Sequence, residues 1–212
     1  MRTPYMKIIT VLMLFLLILS LSACTPKVQI LSAKNTLNTL NPVELTEDQE
    51  AVLAYVNPCK LYIFDYDVDE SIQTLVTTKK IYTNGQWTEQ TLSGQTMEFS
   101  RVGQIAIAVD ETNRVRVTTK GDGHMGSSEF KLHEYPDLDD FTRIDGALDV
   151  SQTITPDEPI LLCHKIYTTS LGFEVSAMTS YGKQLEEFEQ YDYAVLFYCT
   201  FSTEPLANPI NE

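Results

Sequence analysis

Hydrophobic and polar positions alternate along several short stretches of this chain. In LYIFDYDVDE, residues 61–70, every second side chain is apolar: Tyr62, Phe64, Tyr66 and Val68. The opposite positions carry three aspartates: Asp65, Asp67 and Asp69. A period of two is typical of a half-buried β-strand. We therefore predict a strand here, with its aromatic side chains turned inward and its aspartates in water.

Turn residues separate other alternating stretches. Asn84-Gly85 lies between two β-rich runs in SIQTLVTTKKIYTNGQWTEQ, and an Asn-Gly pair favours the two-residue turn of a β-hairpin. GQIAIAVD and RVRVTTK flank Glu111-Thr112-Asn113, which predicts a second hairpin. The apolar runs PILLCHKIYT and YAVLFYCTFS predict two further strands near the C-terminal end, with GFEVSAM as another candidate strand between them.

Helical signals are few. In TEDQEAVLAYV, Thr46 is a candidate N-cap with Gln49 three residues later, which predicts a short helix; GKQLEEFEQ predicts another of one or two turns. The strands do not alternate with helices, so a parallel α/β sheet is excluded. The pattern predicts a mainly β protein, an antiparallel β-sandwich or a barrel-like sheet with one or two short helices.

The N-terminal segment differs from the rest of the chain. Arg2 and Lys7 precede an apolar stretch, residues 8–21, which is followed by small residues. This order is typical of a secretory signal peptide, and the stretch is shorter than the ~20 residues that span a bilayer. Leu21-Ser22-Ala23-Cys24 resembles the lipobox of bacterial lipoproteins, in which the chain is cut before the cysteine and its sulfur is acylated, for example with palmitate. Ser20-Leu21-Ser22 is a weaker site for an ordinary cut.

This interpretation sets the domain boundaries. We expect a signal peptide at 1–23, a lipidated tether at 24–45 beginning with Cys24, and a single β-sandwich domain at 46–212. Two or three acyl chains anchor a protein stably, whereas a single chain holds it only marginally. The expected location is therefore the outer face of the bacterial cytoplasmic membrane, with membrane lipid as the partner of the acylated N-terminus.

The net charge of the chain limits which classes of partner are expected. It carries 15 Lys and Arg against 29 Asp and Glu, a net charge of −14, and loss of residues 1–23 would make this −16. Such a chain repels phosphate backbones, so no nucleic-acid partner is expected. We expect an envelope or membrane protein as a partner instead.

Three cysteines follow Cys24, namely Cys59, Cys163 and Cys199. An odd number leaves at least one of them outside any disulfide within the chain. Cys163 and Cys199 lie in apolar runs, which favours buried free thiols over a disulfide between them.

The aspartate-rich strand end is the only candidate metal site. Asp67, Asp69 and Glu70, together with backbone carbonyls, would offer oxygen ligands to calcium. An EF-hand loop starting at Asp65 is excluded because Glu70 stands where glycine is needed and Val76 where glutamate is needed. The favoured interpretation is a half-buried strand with solvated carboxylates. No other cofactor is expected.

The remaining motifs do not complete a catalytic set. GDGHMG, residues 121–126, matches G-x-G-x-x-G, but the alternating SSEFKLHEYP that follows predicts a strand rather than the helix of a dinucleotide site. We expect these glycines to form a turn between strands. Trp87 follows the Asn84-Gly85 turn, where it would pack on the hairpin or offer a platform to a sugar. No catalytic residue is assigned.

Several stretches taken together resemble a group of small lipoproteins of Gram-positive bacteria. They are the lipobox at 21–24, IFDYDVDE, NGQW, GQIAIAVD, EPILLCHKIYTT and EFEQYDYAVLFYCTFS, and the likeness covers about residues 60–205. The group has no established activity. The resemblance implies an extracytoplasmic location and a β-rich fold.

These observations favour a membrane-anchored, non-catalytic binding or assembly module. The alternative is a cell-envelope hydrolase that acts on glycan or peptide through a pair of carboxyl groups about 5 to 9 Å apart.

Overall fold

The computed structural model describes residues 37–56, 59–97, 101–110, 112–121, 124–132, 141–169 and 185–206. All of them belong to one compact unit, Thr36–Glu212. The described elements are eleven strands, one α-helix and one 3₁₀ helix. In chain order they are β1 (Thr39–Pro42), α1 (Glu47–Val56), β2 (Cys59–Asp67), β3 (Thr74–Thr83), β4 (Gln86–Thr96), β5 (Val102–Asp110), β6 (Arg114–Gly121), β7 (His124–Lys131), β8 (Thr142–Ala147), β9 (Gln152–Thr153), β10 (Pro159–Thr168), the 3₁₀ helix (Leu185–Phe188) and β11 (Tyr193–Ser202).

The strands form two separate antiparallel sheets. Sheet A has six strands in the order β7-β6-β5-β2-β1-β9, and sheet B has five in the order β4-β3-β11-β10-β8. The mainly β prediction is confirmed, as a sandwich rather than a closed, barrel-like sheet.

The main core lies between the two sheets. Strand β2 contributes Phe64 and Tyr66, each 1% exposed, while Asp65 between them is exposed. The predicted inward and outward faces of LYIFDYDVDE are therefore confirmed. Because successive side chains of a strand point to opposite faces, one face of β2 enters the core and the other meets water.

Sheet B is covered on both faces. Its outer face packs against Phe188 of the 3₁₀ helix in a second cluster that contains Ile166 and Leu196. Burial on two faces explains why β10 and β11 are continuous apolar runs rather than alternating ones. Trp87 joins this layer, because its Nε1 donates to Glu189 3.0 Å away and its ring packs against Tyr82. The interpretation of Trp87 as a packing residue of the hairpin is confirmed.

The predicted turns are present. Asn84 and Gly85 both have positive φ, 51° and 76°, as the two-residue turn between β3 and β4 requires. Asn113 also has positive φ, and its amide donates to the Asp110 carbonyl 3.1 Å away, which closes the turn between β5 and β6. In the Gly-rich stretch, Gly121 of β6 pairs with His124 of β7, so the glycines join two strands as predicted.

Helix α1 begins with the predicted capping box. The Thr46 amide donates to Gln49 Oε1 at 2.9 Å, and the Gln49 amide donates to Thr46 Oγ1 at 3.4 Å. These bonds satisfy amides that the first helical turn leaves without partners.

The folded region begins earlier than the sequence predicts. Strand β1 pairs with β2 and with β9, so residues 39–42 belong to sheet A although they fall within the tether expected at 24–45. This strand has four residues, which is too short for a period to be recognised; its partners on both sides hold it in the sheet. The predicted signal peptide, Cys24 and the candidate strand at 172–178 lie outside the described residues.

Candidate functional site

The aspartate-rich end of β2 is a structural turn in this fold. Asp69 Oδ2 accepts a hydrogen bond from Asn38 Nδ2 at 2.6 Å, and its Oδ1 accepts from Ser71 Oγ at 2.6 Å. Bonds from Ser71 and Asn38 lower the pKa of Asp69. Asp67, Asp69 and Glu70 do not form a metal-binding group: within the described ranges, no three His, Cys, Asp or Glu side chains are close enough to hold a metal ion. The calcium site stays a prediction.

The three described cysteines are free thiols. Cys163 and Cys199 are buried, at 2% and 0% exposure, and Cys59 is half-buried. Burial raises the pKa of Cys163 and Cys199 well above the ordinary thiol value. Because the thiolate is the reactive form, both behave as small apolar core residues rather than nucleophiles.

A cavity that is partly open to solvent lies at the opposite end of the sandwich from Asp69. It has a volume of about 560 Å³ and lies where α1, the start of β2, the end of β5 and the start of β8 meet. This volume is within the range of small-molecule sites. Its apolar lining is Leu45, Leu53, Leu61 and Val109. Its polar lining is Glu50, Cys59, Lys60, Tyr62, Asp110 and Arg143.

Strand pairing between β8 and β10 places charged side chains beside the cavity. Asp145 lies directly opposite Lys165, and Arg143 lies opposite Tyr167. Directly opposed residues of antiparallel strands have Cβ atoms about 5 Å apart. Gly146 permits this pairing, because the ring of His164 already occupies the space that a side chain at position 146 would need.

Asp145 is the carboxylate that joins the two sheets here. The Arg143 guanidinium binds this carboxylate through two contacts, Nε to Oδ1 at 3.1 Å and Nη2 to Oδ2 at 2.8 Å. Lys60 reaches the same Oδ2 from sheet A at 3.5 Å. Asp145 is 11% exposed at its side chain, so this cluster is shielded from water on one side while Arg143 and Lys60 remain accessible at 43% and 49%.

Lys165 is a third cationic residue near Arg143 and Lys60. It is only 2% exposed, and its Nζ donates to Asn113 Oδ1, 3.1 Å away on the turn between β5 and β6. Burial, with repulsion from Arg143 as the next cause, lowers the pKa of Lys165 to about 8. Lys60 and Arg143 thus contact Asp145 directly, whereas Lys165 interacts with it only through charge attraction.

Tyr62 is an uncharged polar residue beside Lys60 and Arg143 at the cavity. Its hydroxyl is buried and meets no hydrogen-bond partner among the residues that the structure describes. Burial raises the pKa of this phenol, with Cys163 and Asp145 as the next causes, so the hydroxyl keeps its proton at neutral pH. A buried polar group without a partner costs stability, which makes Tyr62 an uncommon residue of this core.

The cavity brings together residues that no local motif indicated. Lys60 lies next to the aspartate-rich stretch, but Arg143, Asp145 and Lys165 come from strands far along the chain. One signal was present: in PILLCHKIYT, Lys165 alternates with Cys163 and Tyr167, so it had to share their inward face.

Comparison of the chain with protein-family models, with curated proteins and with solved structures found no match in any of the three. None of the helices in the described part of the chain has both the length and the apolar character of a membrane span.

Proposed function

We propose that this chain is a membrane-anchored, extracytoplasmic binding domain without catalytic activity of its own, and that it holds its ligand or partner in the cavity at the end of the sandwich. The observation that carries the proposal is the charged cluster between the sheets at that end. Burying Lys165 and leaving the Tyr62 hydroxyl without a partner both cost stability, and such costs concentrate at functional sites.

The anchoring part of the proposal is supported by the N-terminal sequence. Arg2, Lys7, the apolar stretch at 8–21 and the lipobox-like Leu21-Ser22-Ala23-Cys24 have the order of a lipoprotein signal. In this proposal Cys24 is acylated and the domain lies on the outer face of the cytoplasmic membrane, with an envelope or membrane component as its partner.

The point where the chain enters the sandwich supports access to the cavity. Thr39 at the start of β1 pairs with Asp67 at the end of β2, whereas the cavity borders Cys59 at the start of β2. Strand β2 has nine residues and is therefore about 30 Å long. The first described residues, 37–39, thus lie far from the cavity. In this proposal the opening of the cavity is accessible to the partner.

A hydrolase is the second candidate, because Glu50 and Asp110 both line the cavity. A glycosidase needs one carboxyl group with a raised pKa to act as the acid. Bonds from the Thr112 hydroxyl and from the amides of Arg114 and Thr112 lower the pKa of Asp110 instead. Asp110 therefore does not supply the acid, and its carboxylate closes its own turn.

Photocrosslinking from the cavity tests the proposal. A photoreactive residue replaces Leu53, which lines the cavity, or Val150, which lies near β9 at the other end, in the full-length chain expressed in its own membrane. We expect a crosslinked product, protein or small molecule, from position 53 and none from position 150. The Cys24→Ala form is the untethered control and should lose the product. No product from position 53, or equal products from both positions, would contradict the proposal.

A further inference from the structure

The cavity has walls of two kinds. Lys60 and Arg143 form a charged wall, and Leu45 and Leu53 belong to an aliphatic wall beside α1. A site of this kind fits a ligand that has an apolar body and one charged group.

We infer, on the basis of the binding function proposed above, that the ligand carries an oxyanion, a carboxylate or a phosphate, on an aliphatic body. Arg143 and Lys60 bind the charged oxygens. Leu45, Leu53 and Leu61 contact the aliphatic part.

The hydrogen-bonding capacity of the charged wall supports an anion. A guanidinium has five N–H donors in a planar fork, and Asp145 occupies only one edge of the Arg143 fork. The remaining donors suit a second carboxylate or phosphate, for which Arg geometry is matched.

Cationic side chains are concentrated around Asp145 at one side of the cavity. The whole chain carries a net charge of −14, yet Lys60, Arg143 and Lys165 gather around Asp145 at this end. An added anion would reduce the repulsion among these cations in a partly buried site, where such interactions are stronger than in water.

Two other carboxyl groups line the same cavity. Asp110 Oδ1 accepts bonds from the Thr112 and Arg114 amides, so its charge is directed at its own turn. Glu50 is an exposed residue of the first turn of α1. Its charge should oppose an anionic ligand, which makes Glu50 useful in a test.

Matched small molecules test the charged group separately from the apolar body. The probes are 4-methylpentanoate, 4-methylpentyl phosphate, 4-methylpentan-1-ol and 4-methylpentylamine, titrated calorimetrically into the full chain in lipid nanodiscs, with empty nanodiscs as the reference. We expect the acid, the phosphate or both to bind at least about tenfold more tightly than the alcohol, because charge-assisted bonds are roughly twice as strong as neutral ones. The acid and phosphate arms show which oxyanion is preferred. An alcohol that binds as tightly as both anions would overturn the inference.

Variants locate the effect in the cavity. Arg143→Gln should weaken binding of the preferred anion by about tenfold or more and leave the alcohol unchanged. Arg116→Gln is the matched control, since Arg116 forms a similar pair with Glu129 on the outer face of sheet A. Glu50→Gln leaves the Arg143–Asp145 pair in place and should tighten anion binding severalfold, so the inference can be tested even if the Arg143 variant does not fold. Unchanged anion affinity in Glu50→Gln and in folded Arg143→Gln would contradict it.

The outcomes separate this inference from the proposed function. If the alcohol binds as well as the anions while crosslinking from position 53 still recovers a product, the oxyanion inference fails and the binding function stands. If no probe binds and no crosslink forms, both fail.

Discussion

The two ends of this sandwich use polar side chains differently. At the end where the chain enters, Asn38 and Asp69 exchange two hydrogen bonds, Asn38 Nδ2 to Asp69 Oδ2 at 2.6 Å and the Asp69 amide to Asn38 Oδ1 at 2.9 Å. Arg101 Nη1 then donates to the Asp69 carbonyl at 2.6 Å. At the other end, Lys60 and Arg143 contact Asp145 with Lys165 nearby, and the Tyr62 hydroxyl has no partner within the described residues.

The polar groups at one end are used for structure, whereas those at the other end could contact a ligand. The hydrogen bonds around Asp69 close a turn, and the polar groups there are each other's partners. These bonds give Asp69 a structural role. The groups around Asp145 remain incompletely matched beside a cavity, and incomplete matching in a low-dielectric region is costly. The comparison therefore supports the proposal that the end with the charged cluster binds the ligand.

The largest expected effect is at Asp145. Asp145→Asn removes the carboxylate that Lys60 and Arg143 contact, and we expect the free energy of unfolding in urea to fall by ~2 kcal/mol, since a pair that is only partly buried loses less than a fully buried one. Millimolar phosphate should restore part of this loss. Asp65→Asn, on the exposed face of β2, is the control and should change little. A loss that phosphate does not reduce would contradict an anion-binding cluster.

The next effect concerns pH. The pKa of Lys165 is about 8 when folded, because of burial and then Arg143, whereas an unfolded lysine titrates near 10.4. Between these values the unfolded chain binds more protons, so this residue makes stability rise with pH, by at most about 1.4 kcal/mol per pH unit. Lys165→Met should lose that rise in urea unfolding between pH 8 and 10, while Lys120→Met on the surface should keep it. Equal pH slopes for wild type and Lys165→Met would show that Lys165 is not a buried cation.

A smaller effect is expected at the opposite end. Asn38→Ala removes two hydrogen bonds to Asp69 and should lower the free energy of unfolding by about 1 kcal/mol. Phosphate should not restore it, in contrast to Asp145→Asn. Asn41→Ala, which loses only a 3.3 Å bond to Thr39, is the control for a nearby amide. Rescue of Asn38→Ala by phosphate would remove the distinction between the two ends.

Local patterns in the sequence predicted most of the fold. The period of two in LYIFDYDVDE, the Asn84-Gly85 turn and the Thr46 capping box all act within a few residues, so each could be recognised without knowledge of the rest of the chain. Strand β1 was missed because its pairing with β2 and β9 depends on partners distant in sequence.

The candidate site was not predictable for the same physical reason. Lys60 and Asp145 are 85 residues apart and meet only because the two sheets pack face to face. The alternation in PILLCHKIYT placed Lys165 on an inward face, but no pattern stated which side chains would surround it. Asp67, Asp69 and Glu70 were predicted as calcium ligands because they lie close together in the sequence. The structural role of Asp69 depends on Asn38 and Ser71 and is seen only in the fold.

Tyr62→Phe tests the central claim most directly, because it removes only the hydroxyl without a partner. Tyr55→Phe, on an exposed residue of α1, is the matched control. In thermal and urea unfolding of the chain without ligand, we predict that Tyr62→Phe keeps or gains stability, by up to about 1 kcal/mol, since a buried polar group without a partner is removed. A loss of 1 kcal/mol or more relative to Tyr55→Phe would show that the hydroxyl stabilises the fold, and would contradict the assignment of this end of the sandwich to ligand binding.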